Sequence, residues 1–152
     1  MKQLPIICHE SIGPIKLGTS RAEIRSVLEE FGFSLETIRG TLDYFAEASI
    51  QVSYSEDQTV RFIGISFHPS YICTYKGTNV FDLPASELFS VVAASEGDTS
   101  IHSFNPDGYV FPVQILSLWD ADSQYDRLGG EIRPIWAQVG IGDARYLAAI
   151  EK

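Results

Sequence analysis

The chain predicts an α+β fold: antiparallel sheet with helices on one face, built from two helix–strand–strand pseudo-repeats in one compact domain. Three observations carry this. Strand candidates outnumber helices and come in runs instead of alternating strictly with them. Two helical patterns, 64 residues apart, carry apolar residues at similar spacing. Finally, 152 residues can bury one sizeable core, whereas a half of about 70 residues would hold only a marginal one. Residues 1–152 therefore read as a single domain, with pseudo-repeats at about 12–70 and 77–142.

The first helix opens at Ser20, where Ser20 and Glu23 form a capping-box pattern that satisfies free amides at a helix start. Apolar residues at 24, 27, 28 and 31 keep helical spacing, and Gly32 supplies a stop. Strands are expected at Tyr44–Phe45, Ser49–Tyr54 and Val60–Phe67, with Ser55-Glu56-Asp57-Gln58 as a hairpin turn. The second helix is expected with Asp82 near its N-cap, Pro84 in its first turn, Leu88, Val91 and Val92 on one face, and Gly97 at its end. Tyr109–Phe111, Gln114–Trp119 and Ile132–Val139 complete the second set of strands. Residues 143–150 suit either a short helix or a strand. Overlaying the halves pairs Ile50 with Ile115, an offset of 65, and Val60 with Ile132.

Composition narrows function. The chain is 45% hydrophobic and 12% aromatic, too apolar for disorder. Twenty acids against eleven bases give a net charge of -9, which argues against nucleic-acid and anionic-lipid binding. The charge is localised. Between Lys76 and Arg127 stand eight acids and no base, and the rest of the chain is nearly neutral. Residues 1–8 lack the pattern of a secretory signal, and no apolar run reaches the roughly 18 residues that span a bilayer. Two cysteines, Cys8 and Cys73, do not make a disulfide framework. A cytoplasmic protein is the expectation.

Chemical motifs are sparse. His9, His68 and His102 show no metal-ligand spacing, and no Gly-x-Ser-x-Gly elbow occurs. The glycine pairs at 129–130 and 140/142 read as turns, not a phosphate cradle. Residues 120–131 place acids at positions 1, 3 and 12 of a calcium-loop template, but Tyr125 stands where the turn wants glycine. An acidic hairpin loop fits better. No catalytic residue, metal or cofactor is expected.

That loop, the insertion that lengthens the second unit, offers a contact surface. Trp119, Asp120, Asp122, Tyr125 and Asp126 set aromatic anchors among carboxylates, joined by Asp107 and by Asp98 of the acidic loop Glu96-Gly97-Asp98. Such a surface suits a basic protein partner. The plainer alternative puts Trp119 in the core opposite Tyr54, with the acids merely solvated.

Gly13-Pro14-Ile15-Lys16-Leu17-Gly18-Thr19-Ser20-Arg21-Ala22-Glu23-Ile24 resembles the opening of many small bacterial proteins. In those a G-x-I-x-L-G-x-S-R-x-E-I stretch starts a helix ahead of a sheet. Asp107-Gly108-Tyr109-Val110-Phe111 fits the same pattern. Some of them look like immunity proteins, which block a toxin by tight binding. The doubled helix-plus-sheet plan is also similar to the β-lactamase inhibitor protein and the outer-membrane assembly lipoprotein fold, whose members bind partners; their secretion signal, disulfides and lipid-anchor cysteine are absent here. The resemblance implies a non-catalytic immunity-type inhibitor that occludes a basic toxin with its acidic second half. Two alternatives stand beside it: a homodimeric structural or regulatory domain, and a ligand carrier or enzyme with a pocket between the halves.

Overall fold

The computed structural model describes residues 1–98, 100–125 and 132–151. The first strand, β1 (Lys2–Ile7), is followed by the short β2 (Ser11–Ile12) and β3 (Ile15–Lys16), then by helix α1 (Arg21–Phe31). As expected, the Ser20 side chain accepts from the Glu23 amide at 3.2 Å, and Gly32, at φ 108°, closes the helix. Ile24 and Leu28 face inward. A meander follows: β4 (Thr37–Arg39), β5 (Leu42–Phe45), β6 (Ile50–Tyr54) and β7 (Val60–Ile65).

The second half runs in a similar order, with one strand fewer on each side of its helix and an added helix at its end. After β8 (Tyr71–Tyr75) and β9 (Thr78–Asn79) comes α2 (Ala85–Ala94), then β10 (Gly108–Phe111), β11 (Leu116–Tyr125), β12 (Ile132–Gly142) and a short α3 (Ala144–Ile150). Pro84 is itself the N-cap of α2, and no side chain caps there. The helix ends at Ser95, short of Gly97, where Glu96 turns into the interior.

Two sheets result. One has the order β3-β2-β1-β8-β9, with β1 and β8 parallel so that Leu4 lies beside Cys73. The other is antiparallel throughout, in the order β10-β11-β12-β7-β6-β5-β4. It consists of two meanders joined where β7 meets β12. Across its four central strands run two aliphatic rows, Ile50–Ile65–Val139–Leu118 and Val52–Ile63–Ile141–Leu116. All eight residues are buried, each worth about 1.5–3 kcal/mol. With Ile24, Leu28, Leu88 and Val92 they belong to one core.

These ladders correct the overlay of the halves. Phe45 corresponds to Phe111 and Ile50 to Leu116, an offset of 66 and not 65. Strand side chains alternate faces, so the one-residue difference decides which side is buried. Ile115 instead sits in the turn at φ 50°. In the third strands Ile63 corresponds to Val139, because β12 is longer at its start.

Between the aliphatic rows, the opposite face carries Gln51, Gly64, Gly140 and Ser117 side by side. A β-carbon at Gly140 would lie 2.5 Å from the Phe62 ring and 2.6 Å from the Ile63 carbonyl oxygen, whereas the atoms nearest to one at Gly64 belong to the Gln138 amide, at 2.5 Å. Gly140→Ala should therefore cost about 2–3 kcal/mol of unfolding free energy, and Gly64→Ala clearly less, since the Gln138 side chain can swing away. Comparable losses in denaturant titrations would contradict this account of the seam.

A buried charge ties α1 to the first meander. Asp43 on β5 is fully buried and takes Arg21 at 2.7 Å and Arg25 at 2.8 Å. Arg21 also donates to the Gly40 carbonyl at 3.0 Å and lies over the Tyr54 ring. Burial alone would raise the Asp43 carboxyl, but the hydrogen bonds from Arg25 and Arg21 outweigh it and hold it below its ordinary range. A carboxyl depressed in the folded state stabilises fully above the unfolded value, near about pH 4, and loses that contribution as pH falls through the folded value. Asp43→Asn should cost about 3 kcal/mol at neutral pH, by stranding two guanidinium groups, with the deficit shrinking in acid. A pH-independent deficit would exclude the ion pairs as its cause.

Candidate functional site

The sequence points to the far end of the second meander, and the structure divides those residues between two faces. Leu118 faces the core, so Trp119, its neighbour on β11, faces out and is 57% exposed. The core tryptophan is Trp136, whose Nε1 donates to the Ala85 carbonyl at 3.0 Å and links β12 to α2. Asp107 and Asp120 are exposed ladder neighbours: the Asp120 amide donates to the Asp107 carbonyl at 3.2 Å, and the Ala121 amide to the Pro106 carbonyl at 2.7 Å. Trp119 and Asp120 on β11 thus lie, by backbone pairing, beside Asp107 at the start of the edge strand β10.

The remaining expected residues fare differently. Residues 120–125 continue β11, so the expected loop is strand as far as Tyr125; the first six positions of the calcium-loop template fall on an extended ladder, and the other six lie outside the described residues. The backbones of Asp122 and Tyr125 pair with Ile135 and Ile132, and Asp126 lies outside the described residues. Asp98 belongs elsewhere. It accepts from His102 Nε2 at 3.0 Å, and His102 Nδ1 meets the Tyr109 hydroxyl at 2.6 Å.

Glu96, read from sequence as part of an acidic surface loop, is only 1% exposed. Its carboxylate accepts from the Val113 amide at 2.6 Å, the Gln114 amide at 3.1 Å and the Gln114 side chain at 3.0 Å, so it staples the end of α2 to the β10–β11 turn. Gln114 in turn accepts from the Tyr75 hydroxyl. Glu96, Asp98 and His102 bring potential ligand atoms within 4.8 Å of one another, a cluster that residue spacing did not reveal. Glu96 is already committed to three donors there. His68 pairs with Glu47 at 2.9 Å, apart from the His102 partners. Cys8 and Cys73 are both free thiols, each pushed up chiefly by burial.

A groove lies on the outer face across the seam between the meanders, where the sequence left open a pocket between the halves without pointing to any of the residues that line it except Trp119. It encloses about 370 Å³, lined by Gln51, Ser53, Arg61, Phe62, Ser117, Trp119, Gln138, Tyr146, Ala149 and Ile150. Gln138 and the Phe62 ring, two of these residues, lie over Gly64 and Gly140. The wall of the groove is α3, whose Tyr146 stacks on Phe62 at 4.4 Å. Arg145 anchors that helix, donating to Ser55 Oγ at 2.6 Å, Thr59 Oγ1 at 2.9 Å and the Val60 carbonyl at 3.1 Å. Hydrogen bonds from Ser55 and Thr59, with Arg145 nearby, hold the exposed Asp57 at about 2. Ser53 pairs with Phe62 but Tyr54 pairs with Val60, so Arg61 is the extra residue of a β-bulge. A bulge re-aims side chains, and here Arg61 and Phe62 both border the groove.

Trp119 is the exposed indole and Trp136 the buried one, which fluorescence separates. Trp119→Phe should remove the acrylamide-quenchable emission while changing stability by less than about 0.5 kcal/mol; persisting quenchable emission would contradict the assignment.

No helix is long and apolar enough to cross a membrane among the described residues. No protein-family model, curated protein or solved structure matches this chain.

Proposed function

We propose that the protein is a non-catalytic binding module that docks on a basic protein partner through the sheet edge around Trp119. The observation that carries the reading is an indole 57% exposed beside the exposed Asp107 and Asp120, within a stretch of fifty residues that holds no base. A large, rigid aromatic gives contact area at low entropic cost, and the carboxylates around it steer a basic surface into place. The resemblance of the Gly13–Ile24 stretch to immunity proteins extends the reading: the partner is a toxin with a basic cleft, and the module occludes it in the cytoplasm.

Coexpression with a candidate toxin encoded beside it provides the test. The native protein should rescue growth and copurify with the toxin. Asp107→Lys with Asp120→Lys should slow association at least tenfold at low salt and flatten its salt dependence, and Trp119→Ala should mainly raise the dissociation rate. Rescue that survives all three substitutions would place the interface elsewhere; failure to rescue and to form a complex would remove the toxin reading.

A further inference from the structure

The groove across the meander seam holds a cation that the fold does not use. Arg21 and Arg25 share Asp43, and Arg145 holds Asp143 and Asp57. Arg61 differs: its Nε is buried without an acceptor, and no carboxylate among the described residues pairs with it. In a chain with twenty acids, an arginine set on a bulge beside a groove and left unpaired calls for an acceptor from outside. A buried donor without one costs about 1–3 kcal/mol, and more when charged.

We infer that this groove binds a monocarboxylate with an apolar body, its carboxylate on the Arg61 guanidinium and its body against Trp119. The planar guanidinium matches a carboxylate in two parallel hydrogen bonds. Among the described residues that line the groove Arg61 is the only basic one, so a single negative charge balances it where a phosphate dianion would leave an excess. Trp119 and Ile150, 57% and 44% exposed, supply apolar surface at the rim. Gln51 and Gln138, bonded to each other at 3.3 Å, offer amides for further polar groups. A volume of about 370 Å³ fits a small ligand, at the low end of the ~300–1,000 Å³ usual for such pockets. The inference stands apart from the docking reading, because its probes need no protein partner.

Calorimetry and Trp119 emission should be followed while titrating the native protein with 3-phenylpropionate, its neutral amide and phenyl phosphate. A short peptide ending in phenylalanine is tested as free acid and as amide. Free acids should bind saturably, at least tenfold tighter than the matching amides and than phenyl phosphate, and Arg61→Gln should remove that margin. Arg61→Lys, which keeps charge but loses the fork, should retain only part of it, and it decides the matter if Arg61→Gln does not fold. Binding of the small acid identifies a free metabolite-like ligand; binding of the peptide acid alone identifies the chain end of a partner. Equal affinity for acid and amide, tighter binding of the phosphate, unchanged affinity in a folded Arg61 variant, or no saturable binding by either acid overturns the inference.

Discussion

At the centre of the larger sheet the β12 backbone at Gly140 passes so close to Ile63 that a single methyl group would press on its carbonyl oxygen. The two meanders meet along this line, and most of the molecule follows from the contact. It aligns the aliphatic rows into one core, so that neither half closes an interior alone. On the opposite face the same alternation leaves glycines between Gln51 and Ser117, and the Gln138 amide and the Phe62 ring lie down over them and line the groove. Core and groove are two sides of one register.

The helices α1 and α2 are each fastened to their meander by a buried carboxylate, but by different chemistry. Asp43 is neutralised by two arginines from α1. Glu96 is held by backbone amides and Gln114, with no ion pair among the described residues. Hydrogen bonds substitute for a counter-charge when enough donors converge. The second half therefore closes its helix–meander junction without a base, and one of the eight acids in the base-free stretch is structural, not part of an acidic surface.

The surface divides accordingly. Trp119 stands where the acidic sheet edge, with Asp107 and Asp120, meets the groove that contains Arg61. A docking edge and a small anion-accepting recess share one aromatic residue, so a partner placed on the edge would also cover part of the recess.

Much of the fold was legible locally. The Ser20 cap, the Gly32 stop and the starts of six of the seven meander strands lie within two residues of where spacing and turn residues put them, because caps and alternation are short-range signals. β4 was not expected, and β11 runs past its expected end. The smaller sheet was not legible: Leu4 and Ile6 alternate around Pro5, but their parallel partner lies near residue 73, and nothing local encodes that pairing. The candidate site divided the same way. The order of charges along the chain located the base-free acidic stretch, with Trp119 inside it. Whether Trp119 or Trp136 filled the core, that Glu96 turned inward, and that a bulge aimed Arg61 into a groove were decided only by tertiary structure, because each depends on strand register between segments far apart in the chain, and one residue of slip reverses which side chains meet water.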